Sequence, residues 1–207
     1  MFGCLKKFIF LIILILAVIG FIAIGGMNFV NDFIHNPFQQ AQTTKMEKAA
    51  EIADFSKIDK EFELVSSSKL PKIGNYVYVK HDATSQRFYF SKPTKNDTLT
   101  KADFNNKKAD EKIMEFVKDF KVLQFENFQI KGQDSVKAMG QTIPYVKFDS
   151  DIVNLPVHGV QGIIGVAEQG GKNVIIISMN TYGKYSQIIT NVLLNQLKPS
   201  PEQPEKK

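Results

Sequence analysis

The apolar and polar positions of this chain fall into three regimes. From Phe8 to Gly26 the run FIFLIILILAVIGFIAIGG carries no charge, and about 20 mostly apolar residues are what a helix needs to cross a bilayer. The pattern predicts a transmembrane helix over 8–26. Lys6 and Lys7 stand directly before it, while the first charge after it is Asp32, so the positive-inside rule keeps the amino terminus in the cytoplasm and exports the remainder. From Met27 to Ala53 the chain turns amide-rich and then charged, ending in KMEKAAEIA. Pro37 interrupts any continuing helix, and the segment reads as a partly helical stalk with Thr44 as a cap. Phe29, Val30, Phe33, Ile34 and Phe38 form an apolar stripe in it that either lies at the membrane surface or packs on the domain.

Beyond Asp54 the period alternates between two and 3.6. Phe62 to Val65 predicts a short strand before a Ser66-Ser67-Ser68 loop, and Tyr76 to Lys80 with Arg87 to Ser91 predict a hairpin closed by HDATSQ. KPTKNDT is a surface loop, after which Thr100 caps a helix over 101–120 whose face is Ile113, Phe116, Val117 and Phe120. Strands follow at Phe128–Ile130, Ser135–Ala138 and Thr142–Phe148, separated by KGQD and MGQ turns. Pro144 points to an edge position or strand start, because proline cannot donate to a ladder. Gly159–Ala167 and Asn173–Met179 form a hairpin around Gly170-Gly171. Gly183 to Leu197 is an amphipathic helix with Tyr185, Ile188, Ile189, Val192, Leu193 and Leu197 on its apolar face.

The fold expected is α+β, a membrane helix followed by one antiparallel sheet packed against two main helices. The domain plan is a cytoplasmic flank over 1–7, the membrane helix over 8–26, the stalk over 27–53, an extracytoplasmic domain over 54–198 and a disordered tail over 199–207. Within the apolar run, Ala23 and Gly25 also suit an A-x-A-like cleavage site, which would release the domain instead of anchoring it. Both outcomes export it.

The formal net charge of the 207 residues is +5, to which Lys6 and Lys7 contribute two, and the modest remainder gives no argument for nucleic acid. The single cysteine, Cys4, precedes the apolar run. That order is the reverse of a lipoprotein's, and it leaves the exported part without a disulfide.

Catalytic patterns are sparse. His35, His81 and His158 lack metal-site spacing and no cysteine can complete a set. His81-Asp82 has the composition of a base and its orienting carboxylate, but it sits in a hairpin loop where a solvated turn is the ordinary reading. G-x-S-x-G is absent. Gly159, Gly162 and Gly165 lie in a strand with no helix after them, so they point to close packing and not to a phosphate cradle. Asp149 and Asp151, next to Lys147 and with Asn154, are a loop that could hold a cation weakly but lacks the calcium-loop pattern. Asn96-Asp97-Thr98 fits the glycosylation acceptor pattern.

The half of the domain from Phe120 to Leu197 resembles the PsbP-like extrinsic proteins. The resemblance is carried by FENFQIKGQDSVKAMGQTIPYVKF, a hairpin whose second strand is VIIISMN, and a helix ending in VLLNQL. It implies a sheet covered by helices and a binding or accessory role, and it carries over no functional residue. The expectation is therefore a non-enzymatic module on a membrane, without catalytic, metal or cofactor residues. It is held by the bilayer through residues 8–26 and paired with a protein partner in the envelope. An envelope hydrolase whose groups meet only in three dimensions is the alternative. A pilin-like subunit is the lesser one, since its processing junction and helix glutamate are missing.

Overall fold

The computed structural model describes residues 42–70, 74–94, 99–104, 109–119, 123–153, 157–181 and 184–200. The apolar run over 8–26, the stripe from Phe29 to Phe38 and the tail from 201 onward lie outside them. Among the described residues no helix is long and apolar enough to cross a membrane.

Those residues form an α+β domain built on one seven-stranded, wholly antiparallel sheet. In chain order the elements are α1 (Gln42–Ala49), β1 (Phe62–Leu70), β2 (Gly74–His81), β3 (Gln86–Lys92), α2 (Lys101–Phe104), α3 (Ala109–Asp119), β4 (Phe125–Ala138), β5 (Gln141–Ile152), β6 (Val157–Gln169), β7 (Lys172–Asn180) and α4 (Gln187–Gln196). The sheet order is β1-β2-β3-β7-β6-β5-β4. Two meanders of adjacent hairpins, β1–β3 and β4–β7, thus meet at one seam, where Gln86 to Ser91 pair with Asn180 to Ile175.

Strand alternation sorts the core into two layers, one on each face. One face carries Tyr76, Tyr78, Tyr89, Ile175, Ile177, Ile164, Val146 and Phe148, packed with Phe104, Ile113 and Val117 of α2 and α3. The other carries Val77, Val79, Phe88, Phe90, Ile176 and Ile143, packed with Ala49 of α1 and Leu193 and Leu194 of α4. Each large buried side chain, such as Phe88 or Phe90, adds about 2–3 kcal/mol of transfer free energy.

Local chemistry accounts for several boundaries. Asp103 takes the Thr100 amide and hydroxyl, both at 2.8 Å, in the reciprocal cap that opens α2. The β6–β7 turn has positive φ at both Gly170 and Gly171, as two-residue hairpin turns require. Gly162 has no room for a side chain, since a Cβ there would meet the Ser178 carbonyl and lie 2.9 Å from the Phe148 ring. Gly165 is packed against the Pro144 carbonyl and Tyr145 in the same way, whereas Gly159 has open space around it and a positive φ.

The structure corrects several sequence expectations. Ser66, Ser67 and Ser68 are not a loop; they continue β1 as an edge strand, past a bulge between Leu64 and Ser66. KGQD does not turn. It lies within a single long β4, whose register shifts near Asn127 and Lys131 absorb what composition suggested was a chain reversal. Asp149 and Asp151 are in β5 and not in a loop. Pro144 sits four residues into β5, an interior strand, where the β5–β6 pairing begins only at Tyr145. Ahead of it the Gln141 carboxamide replaces the missing ladder, donating to the Glu168 carbonyl (2.7 Å) and accepting from its amide (2.8 Å).

The last stretch of the supposed stalk also belongs to the domain, because Ala49, Ile52 and Ala53 are fully buried. Helix α1 opens ahead of Thr44, which is therefore not its cap. At the other end the chain stays tied as far as Ser200, whose amide donates to Gln169 Oε1 at 3.2 Å.

Helix α4 is turned relative to the expected phase. Thr190, Leu193 and Leu194 face inward, while Ile188 and Val192 point out. The cause is a polar hub beneath it. Thr190 Oγ1 lies 2.8 Å from each of Gln86 Nε2, Ser178 Oγ and Tyr185 OH, and Gln86 also bonds the Ser186 backbone at both its amide and its carbonyl. Satisfying that buried carboxamide outweighs inserting Ile188.

Removing one partner strands the others, so Thr190→Val is expected to cost about 1–3 kcal/mol in urea unfolding. Ser67→Ala is expected to cost nothing measurable, because the Ser67 hydroxyl is buried without a hydrogen-bond partner among the described residues. Equal losses in the two variants would contradict this assignment.

Candidate functional site

The chemistry-bearing side chains gather along one register line of the second face. His81 on β2 pairs with Gln86 on β3, Gln86 with Asn180 on β7, Asn180 with Gln161 on β6, Gln161 with Asp149 on β5, and Asp149 with Gln129 on β4. This polar row crosses six strands at one end of the sheet.

His81 anchors one end of the row and is not the solvated turn residue the sequence suggested. It is 4% exposed, its ring 4.9 Å from that of Phe62. Nδ1 lies 2.9 Å from Thr84 Oγ1 and Nε2 lies 3.3 Å from Glu61 Oε2. A carboxylate only accepts, so the proton of the neutral ring belongs on Nε2 and Nδ1 accepts from the Thr84 hydroxyl. Asp82 does not orient His81; it turns outward to Lys80 at 3.2 Å. The partner carboxylate is Glu61, supplied from the start of β1 because Phe62 pairs directly with His81. Sequence proximity to Asp82 concealed it, and only the strand register reveals it. A carboxylate, an imidazole and a hydroxyl in line have the connectivity of a proton relay. Here the imidazole is enclosed and both its nitrogens are engaged, so the array chiefly fixes the β2–β3 turn, which Asn180 Nδ2 also holds through the Thr84 carbonyl at 2.7 Å.

The two aspartates at the far end are separately engaged. Asp149 faces Lys131 at 3.4 Å. Asp151 receives Asn127 Nδ2 at 2.7 Å and the Gly159 amide at 2.9 Å, with His158 Nδ1 at 3.6 Å. These bonds, the Asn127 amide foremost, hold the Asp151 carboxyl below its ordinary value of 3.8. Asp151 thereby clasps two residues with positive φ, Asn127 in the β4 bulge and Gly159 in β6. Neither the expected loop nor a shared cation seat is formed by these two side chains, and Asn154 is outside the described residues, as are His35 and Asn96. Among the described residues no group of three or more metal-ligating side chains converges.

The opposite face holds a tyrosine array on β2 and β3, which alternation alone shows only as two strands. Tyr78 and Tyr89 stack at 5.0 Å between centroids, with Tyr76 6.1 Å from Tyr89. Burial raises all three hydroxyls above the usual phenol value, so they remain protonated donors and supply no base. Ser66 and Ser68, across the β1–β2 ladder from Tyr78 and Tyr76, keep buried hydroxyls without hydrogen-bond partners among the described residues. Tyr145, on the second face, is raised to about 12, by burial first and then by Asp134 beside it.

The chain matches no protein-family model and is similar to no curated protein sequence.

The Asp151 clasp has a defined pH signature. A carboxyl whose folded value is depressed contributes stability that is complete above its unfolded value near 3.8 and is lost as pH falls through the lower folded value. Thermal melts from pH 7 down to about pH 2 should thus show a smaller acid loss for Asp151→Asn than for the wild type. Superimposable acid limbs would show that the clasp contributes nothing.

Proposed function

We propose that this protein is a single-pass membrane protein that presents one non-enzymatic α+β domain outside the cytoplasm, where it serves as a binding or accessory module for an envelope protein. The observation that carries the reading is the uncharged run from Phe8 to Gly26 behind Lys6 and Lys7, which acts as anchor and export signal together. Cleavage after Ala23-Ile24-Gly25 would give the same address without the tether.

The domain's chemistry supports a module that binds without turnover. His81 is enclosed, Asp149 and Asp151 have separate partners, and the buried tyrosines stay protonated. The sheet with helices on both faces is compatible with the PsbP-like resemblance of the C-terminal half and supports an accessory role. The modest net charge, with lysines such as Lys80 paired to Glu63 at 2.7 Å, gives no argument for nucleic acid.

A second reading, an envelope hydrolase, rests on the Glu61–His81–Thr84 line alone. Turnover of an ester that His81→Gln abolishes would carry it over the first.

Reporter fusions test the address. Alkaline phosphatase joined after Pro199 is expected to be active and the same enzyme joined after Lys7 inactive, since that reporter works only outside the cytoplasm. The opposite pattern would overturn the reading.

A further inference from the structure

The end of the sheet opposite the polar row gathers cations that no carboxylate neutralises. Lys69 of β1 and Lys92 of β3 both pair with Asn75 of β2, and Lys172 opens the neighbouring β7. Alternation puts all three on the second face. Burial and then the Lys172 charge lower the Lys92 ammonium below its ordinary 10.5, so the cations feel one another. Glu51 is the carboxylate nearest to them, and its groups are already used: the side chain accepts from Asn75 Nδ2 and the carbonyl from Lys92 Nζ at 3.1 Å. Among the described residues no carboxylate lies within ion-pair distance of these three amines. At the polar-row end, by contrast, Lys80 is held between Glu63 and Asp82, and Lys131 faces Asp149. On the opposite face of the basic end Lys137 and Glu168 cancel, while α1 adds Lys45 and Lys48 against Glu47.

The chain enters and leaves the domain at this same end. The Ser200 hydroxyl donates to the Ala50 carbonyl, just past α1, and its amide donates to Gln169 Oε1 at the close of β6. Helix α1 has eight residues, so its first residue lies within about 12 Å of its last.

We propose that this basic end docks on the anionic headgroups of the bilayer that holds the chain. This rests on the membrane reading above. Uncompensated cations attract anionic lipid, each lysine near such a surface strengthening the contact about fivefold. Position selects the bilayer among anions. Residues 27–41 reach at most about 50 Å even when fully extended, so the membrane surface is the anion held at the highest effective concentration beside α1. Strand β2 has eight residues and spans about 25 Å. Docking would therefore turn His81, Glu61 and the rest of the polar row away from the membrane.

Cys4→Ser removes the one thiol of the chain. Thr94→Cys, two residues past Lys92, and Ala83→Cys, in the far β2–β3 turn, are exposed positions that can each carry a fluorophore. Full-length chains are reconstituted in phosphatidylcholine vesicles, with or without phosphatidylglycerol, that contain a headgroup-bound quencher. With phosphatidylglycerol the label at Thr94 is expected to be quenched and the label at Ala83 is not. Lys69→Gln together with Lys172→Gln, both exposed, should lower the docked-to-free ratio about 25-fold. Salt at about 1 M, where the Debye length is about 3 Å, should also release the domain. Equal quenching of the two labels, equal Thr94 quenching without phosphatidylglycerol, or no response to the lysine changes would overturn the contact. Flotation with pure phosphatidylcholine vesicles reads the anchor separately, because insertion needs no lipid charge. If the chains do not float the anchor falls, and the two labels on chains mixed with phosphatidylglycerol vesicles still decide the basic end.

Discussion

The seam between β3 and β7 is the constraint on which the rest of the domain depends. Every other pair of adjacent strands is a hairpin neighbour in sequence, so each meander can form from local contacts alone. Only the ladder from Gln86–Asn180 to Ser91–Ile175 joins them, and its closure brings residues more than eighty positions apart into register. The Gln86 side chain reinforces that seam at its polar end. It reaches under α4 to Ser178, Thr190 and the Ser186 carbonyl, tying strand, strand and helix through one carboxamide. Buried and satisfied, such a network specifies a unique arrangement; half satisfied, it would favour other ones.

What could be read from the sequence was what local physics decides. The β2–β3 and β6–β7 hairpins were legible because alternation and turn residues agree over a few positions; of the helix expected over 101–120, the described residues give α2 at Lys101–Phe104, opened by the Thr100–Asp103 cap, and α3 at Ala109–Asp119, legible from its apolar period. What stayed hidden required tertiary partners. Three serines suggest a loop because serine favours turns, yet pairing with Tyr78, Val77 and Tyr76 keeps them in a strand. KGQD suggests a reversal, yet β5 runs alongside it and converts it to a bulge. The apolar period of α4 pointed Ile188 inward, and the hub under Thr190 overrode it.

The same holds at the polar row. His81 and Asp82 are adjacent in sequence, but His81 ends β2 while Asp82 opens the turn and pairs with Lys80. His81 meets instead a glutamate twenty residues earlier, across the β1–β2 ladder. The aspartates at the other end were legible as a pair and not as two separate clasps, since Asn127 and Lys131 come from a strand whose register no local signal gives. The charged groups that composition offers as a reactive cluster are used one by one to hold the sheet in register.

The seam has a further consequence in time. Strand β3 ends at Lys92 and β7 begins at Lys172, so the first meander leaves the ribosome about eighty residues before the strand that covers its inner edge. At about 5–20 residues per second that is roughly 4–16 s with an open β-edge. Such an edge recruits any extended segment nearby. A chain of this topology therefore gains from being held unfolded until its last strand emerges, which is the state in which a translocating polypeptide travels.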